Sequence, residues 1–192
     1  MPLLPIPYAI DIGERSLKVL LLTQRAWWDP PHRMPRVLAR AEETIPTGWI
    51  AEGIIREPQL LAAFLRRAIA RLGPWWLRSP FAILTLPEAR TFLTTIPTTH
   101  GATNVLGDAQ HLAGAIPMDP ADSVIVTQEL PGTTNSTRTI VAAAPRTLVA
   151  SYAKVCTDAG ITPMVFDLES AAIARAVAWT PLRPFAPMAI GA

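Results

Sequence analysis

The side chains best suited to chemistry sit near the start of the chain, in the segment YAIDIGERSLKVLLL that spans residues 8–22. Asp11, Ser16 and Lys18 interrupt a background that is otherwise apolar. A charge inside a buried strand is costly unless something meets it. Two partners suit this spacing. One is a phosphate with its metal. Lys18 would neutralise the phosphate, Ser16 would share its face two residues away on a strand, and Asp11 would hold Mg2+ through water. Gly13 has no Cβ, so the turn backbone can approach such a ligand, and successive N–H groups of a turn can cradle an anion. The other partner is internal: Asp11 and Lys18 pair with each other across a hairpin. D-x-G is far less specific than a Walker loop, so both readings stand on these residues alone.

The elements that must position these groups follow from periodicity. Tyr8–Ile12 and Ser16 to about Thr23 read as strands joined by the turn Gly13-Glu14-Arg15. Leu17 and the run Val19 to Leu22 imply a strand covered on both faces. Residues 36–45 read as a third strand, closed by a turn at Pro46-Thr47-Gly48. Pro58 opens a helix. Its stripe is Leu60, Leu61, Phe64, Leu65, Ala68, Ile69 and Leu72, with Arg66, Arg67 and Arg71 on the solvated side, and Gly73-Pro74 ends it. FAILTL at 81–86 reads as a buried strand, which completes an α/β pattern.

The texture then changes. Arg90 to Ile96 reads as a strand, Asp108 to Ile116 as a short helix, and Asp122 to Leu130 and Thr137 to Ala144 as strands about the turn PGTTNS. This is a strand-helix-strand-strand α+β subdomain, residues 89–144, inserted into a discontinuous core formed by residues 1–88 and 145–192. The α/β texture resumes with an amphipathic helix from Arg146 to Ala159, stopped at Gly160. A buried strand at Ile161 to Asp167 and an alanine-rich helix at Glu169 to Trp179 follow.

Composition narrows the function classes. The chain has 192 residues, half of them hydrophobic, which is enough for a sizeable core. A net charge of +2 without a basic, aromatic-interleaved stripe argues against nucleic acid. Cys156 is the single cysteine, so no internal disulfide forms; its place in an apolar helical stripe makes it a small core residue. No run approaches the ~18 apolar residues of a membrane span, and the first residues lack the basic region and cleavage site of a secretion signal, so a cytoplasmic protein is expected. Twenty prolines, about twice ordinary usage, gather in the connections. Trp27-Trp28, in the proline-rich loop from Arg25 to Pro35, suit either a docking patch or a cover for the sheet edge. His32, His100 and His111 have no catalytic or zinc spacing, no G-x-S-x-G elbow appears, and phosphoryl transfer would need a positioned base. The chain is therefore not expected to be an enzyme by itself.

The order of segments resembles the type IV pilus assembly protein PilM family, in the actin-like superfamily that includes FtsA. AIDIGERSLKVLLL looks like the first phosphate motif of that family. ETIPTGWIAEGIIREPQLLAAFL is similar to its proline-glycine turn before the first helix. FAILTLPEARTFLTTIP resembles the strand that leaves the core, and AGAIPMDPADSVIVTQEL a helix end and strand of the insert. AAAPRTLVASYAKVCTDAGITPMVFDLESAAIARAV resembles the return helix, strand and connecting helix. Together these cover about residues 8–178. The resemblance implies an actin-like (ribonuclease H-like) core with an inserted subdomain, forming the first of two lobes. It implies a cytoplasmic scaffold at the inner membrane that binds the cytoplasmic N-terminal peptide of a PilN-like partner, and ATP with Mg2+ between lobes. Asp11, Gly13, Ser16 and Lys18 take the positions around the phosphates. Glu169 falls in the connecting helix that faces the cleft, although a carboxylate at a helix N-terminus is also stabilised by the dipole alone. Two departures stand out. Glu14 sits where relatives carry a small or hydroxyl residue, and the second phosphate and adenosine motifs are not visible, so half a nucleotide site is expected. An actin-like ATPase or kinase lobe and the cytoplasmic part of a type II secretion L-type protein would share this fold.

Overall fold

The first hairpin sets the frame of the computed structural model, which describes residues 6–23, 36–73, 79–98, 116–130 and 137–179. Strand β1 (Tyr8–Ile12) pairs antiparallel with β2 (Ser16–Leu22), and β2 with β3 (Val37–Thr44). Their alternation is strict: Tyr8, Ile10, Ile12, Leu17, Val19 and Leu21 are buried while the residues between them are not. After the tight hairpin β4 (Ile50–Ala51) and β5 (Ile54–Ile55) comes helix α1 (Pro58–Arg71), with proline in its first turn where the missing N–H costs nothing. Strand β6 (Phe81–Leu86) lies parallel to β1.

The chain then leaves this sheet. Strands β7 (Phe92–Thr98), β8 (Ser123–Leu130) and β9 (Thr137–Pro145) form an antiparallel sheet of their own, in the order β7-β9-β8. A separate small core of Ile116, Val141 and Ala143 supports it. Helix α2 (Arg146–Asp158) carries the chain back to strand β10 (Thr162–Leu168), which lies parallel to β6, and helix α3 (Glu169–Trp179) follows. The main sheet is thus β10-β6-β1-β2-β3. This is a mixed α/β fold, as the segment pattern implies.

The main core lies on one face of that sheet. Leu61, Ala62, Leu65 and Ala68 of α1 and Leu148, Tyr152, Val155 and Cys156 of α2 pack on the buried residues of β1, β2 and β6. Trp49 meets Phe64 edge-on at 5.8 Å, and the Arg67 guanidinium lies over the Phe64 ring. Three expectations change here. Strand β2 is not covered on both faces, because α1 and α2 occupy only one. Strand β6 alternates between buried residues and partly exposed ones, and β10 is an edge strand whose Met164 and Val165 are about half exposed. Leu60 belongs to the solvated side of α1. Most of the helix expected at 108–116, the turn at 131–136, Trp27-Trp28, the three histidines and the segment from Thr180 onward lie outside the described residues.

Candidate functional site

Since the core claims the face carrying Ile10 and Ile12, the residue between them must point the other way. Asp11 does, and it is not alone. The register puts one polar side chain from each strand in a single row. Asp167 of β10 is level with Thr85 of β6. Ile10 pairs with Leu84, which sets Asp11 beside Thr85. Asp11 pairs with Lys18, and Lys18 with Glu42 of β3. The open face of the sheet is therefore crossed by Asp167, Thr85, Asp11, Lys18 and Glu42.

Within the row the groups are bonded. The Thr85 hydroxyl donates to Asp11 Oδ1 at 2.9 Å, and Lys18 Nζ donates to Oδ2 at 3.3 Å. The internal ion pair read from the sequence is present. Both side chains keep solvent access, Asp11 at 35% and Lys18 at 53%, so the charge in β1 is not a buried one. Asp167 pairs with Arg175 of α3 and accepts from the Leu168 N–H at 2.8 Å.

Beside the row lies a hollow of about 170 Å3 lined by Asp11, Ile12, Gly13, Ser16, Lys18, Thr85, Leu86, Pro87 and Glu169. All five residues singled out from the sequence, Asp11, Gly13, Ser16, Lys18 and Glu169, meet here. The hairpin delivers four of them, and the direct step from β10 into α3 delivers Glu169. Thr85, Pro87 and Asp167 were missed. A lone threonine in FAILTL and an aspartate at a strand end were the available signals, but only the register shows that they join Asp11.

The geometry limits what the hollow can hold. The Gly13 N–H donates to the Ser16 carbonyl at 2.9 Å, so this donor closes the hairpin and is not offered to an anion. A Cβ at Gly13 would lie 3.5 Å or more from its neighbours, which is ordinary contact. The fold does not need glycine there; an approaching ligand would. Asp11 and Glu169 bring two carboxylates against one ammonium, so a phosphate needs an accompanying cation. No cluster of three metal-ligating side chains occurs among the described residues. A single carboxylate holding a hydrated Mg2+ fits this donor set, because Mg2+ retains several waters. The volume suits phosphate groups and is below the usual ~300 Å3 of a site for a whole small molecule. A wider open groove of about 630 Å3 continues over Ala9, Leu20, Ala41 and Ile83 toward Arg40, Glu42 and Asp167.

Two buried groups lie behind the site. The Tyr152 hydroxyl donates to the Gly53 carbonyl at 3.1 Å. Burial, and then the negative charges of Asp11 and Glu14, push its pKa up to about 12. Burial alone pushes the Cys156 thiol up to about 12.

No protein-family model matches this chain, and no curated protein matches it in sequence. Structure is more informative. A solved structure described as "PilM-PilN type IV pilus biogenesis complex" is similar with a TM-score of 0.74 at 20% identity, over 89% of this chain and 49% of that one. The chain has the actin-like fold of PilM. It spans about half the length of that solved chain. The cytoplasmic domain of EpsL, an inner-membrane component of the type II secretion system of Vibrio cholerae, is similar with a TM-score of 0.49 at 13% identity, over 83% of this chain and 56% of that one. Among the described residues no helix is long and apolar enough to cross a membrane.

Proposed function

We propose that this chain acts as the first lobe of a cytoplasmic scaffold in a type IV pilus inner-membrane complex, binding the cytoplasmic N-terminal peptide of a PilN-like membrane protein. The observation that carries this reading is the likeness to the PilM–PilN complex over 89% of the chain. Residues 1–88 with 145–192 act as the core and 89–144 as the inserted module. The peptide docks where core and insert adjoin, partly by strand addition. The hairpin hollow takes the phosphate end of ATP. There Asp11 holds Mg2+ through water, Lys18 exchanges its pairing with Asp11 for the phosphate, Ser16 supplies a hydroxyl, and Glu169 faces the bound group. The nucleoside lies outside the hollow. This reading gives the chain binding without turnover of its own.

The test is a pull-down and calorimetric titration with the cytoplasmic segment of a candidate single-span partner, with and without Mg-ATP. Saturable peptide binding supports the scaffold. Absence of binding by this chain and by any longer product of its reading frame rejects it. Heat from Mg-ATP alone tests the phosphate site separately.

A further inference from the structure

Strand β3 lies at an edge of the main sheet, and among the described residues no strand pairs with its outer side. The ladder to β2 fixes where its backbone groups point. The Ile45 N–H donates to the Arg15 carbonyl at 3.0 Å, so residue 45 faces β2. These directions alternate along an antiparallel strand. Ala41 and Glu43 therefore turn their N–H and C=O groups to β2, while Arg40, Glu42 and Thr44 turn theirs outward. Between Leu21 and Leu22 the ladder slips, leaving Leu38 as the extra residue of a bulge. The regular outward edge thus runs from Arg40 to Thr44.

We infer that this edge pairs with the same edge of a second copy of the chain, about a two-fold axis at Ala41. Antiparallel pairing must set outward-facing residues opposite one another, which leaves few central registers. An axis at Arg40 opposes two guanidiniums, and an axis at Glu42 opposes two carboxylates; like charges directly opposite are destabilising. An axis at Ala41 sets Arg40 of each copy opposite Glu42 of the other, giving two opposite-charge pairs and a hydrogen-bonded ladder at once. Both side chains are exposed and neither is in an ion pair among the described residues. The other edge is spoiled for pairing, because β10 carries Pro163 and a register shift beside it. The dimer joins two five-stranded sheets edge to edge and continues the open groove across the axis. With a single strand pair it is weak, since its contact is smaller than that of a stable complex.

Sedimentation equilibrium over a concentration series tests this. The chain is expected to dimerise at the upper end and less so in high salt. Arg40→Glu and Glu42→Arg alone should each weaken the dimer about tenfold or more, and the double exchange should restore it. Glu42→Pro removes an outward N–H and no bond to β2, so it should abolish the dimer with the circular dichroism spectrum unchanged. Ala41→Cys places two thiols on the axis at a non-hydrogen-bonded pair, about 4.5 Å between Cα atoms, close enough for a disulfide. Oxidation should give a cross-linked dimer, with the buried Cys156 unmodified. A monomer at about 1 mM, a dimer indifferent to these charges, or failure of the double exchange to restore association overturns the proposal. Glu42→Pro stays informative if a charge variant misfolds.

Discussion

Asp11 and Lys18 stand opposite each other in the first hairpin, with Lys18 Nζ 3.3 Å from Asp11 Oδ2 while Thr85 holds the other carboxylate oxygen. One carboxylate thus has a fixed side and a releasable side. The threonine bond keeps Asp11 oriented, and the solvent-exposed ammonium can leave it for a phosphate at little cost. On the proposed reading, the salt bridge seen here and a phosphate-bound form would be two states of one arrangement.

That arrangement separates stability from binding. Lys18→Met should change unfolding free energy by no more than about 1 kcal/mol, because exposed pairs contribute little. The same substitution should lower Mg-ATP affinity at least tenfold. Urea denaturation and calorimetry read the two effects independently. A large loss of stability with unchanged nucleotide affinity would assign Lys18 to the fold alone.

Gly13→Ala tests the hairpin turn in the same way. The added methyl meets Ser16 only at ordinary contact distance, and Gly13 has no positive φ to lose. Stability should stay within about 0.5 kcal/mol, as for substitutions away from strained or packed features. Phosphate binding should fall, since the methyl occupies the space a ligand would approach. Unaltered Mg-ATP binding by this variant would remove Gly13 from the site.

Gly53→Ala should behave oppositely. Glu52 and Gly53 turn the β4–β5 hairpin with φ of +50° and +75°, as a two-residue hairpin of this hand demands. A Cβ on Gly53 would lie 2.8 Å from Pro87 Cγ, and the proline ring cannot rotate aside. Arg90 bonds the Glu52 carbonyl at 2.9 Å from the same side. The substitution combines left-handed strain with overpacking, so a loss of roughly 2–4 kcal/mol is expected by thermal unfolding. A loss below about 1 kcal/mol would mean that the hairpin tip does not press on Pro87.

Much of this was legible in the residues. The short apolar runs in residues 8–22 and 81–86, Pro58 at a helix start and Gly160 at a helix end are local signals. They place strands and helices within a residue or two. Sidedness was less legible. The leucine-rich run of β2 looks buried on both faces because leucine is compatible with either environment, and only the helix placement decides. The Glu52-Gly53 turn was missed because strands of two residues carry almost no periodic signal. The candidate site divides the same way. Asp11 and Lys18 stand out as charges in an apolar background, whereas Thr85 and Asp167 gain meaning only from the register with which β6 and β10 meet β1.

The two raised pKa values predict an alkaline weakness that can be followed to its source. Tyr152 and Cys156 lie one turn apart on α2, both fully buried against the sheet. Each folded-state pKa is raised, so the folded chain keeps a proton that the unfolded chain releases. The stabilisation is complete below the unfolded values, near pH 9 for the thiol and pH 10 for the phenol, and is lost as pH rises toward about 12. For the phenol alone the shift amounts to roughly 2–3 kcal/mol. Tyr152→Phe should be less stable at neutral pH by about 1–2 kcal/mol, because the buried Gly53 carbonyl loses its donor. Its stability should then fall less steeply above pH 10, so the two curves converge. Cys156→Ala should flatten the decline that begins near pH 9. Urea unfolding between pH 8 and 11.5 measures both, and parallel curves for all three proteins would show that neither group titrates with the fold.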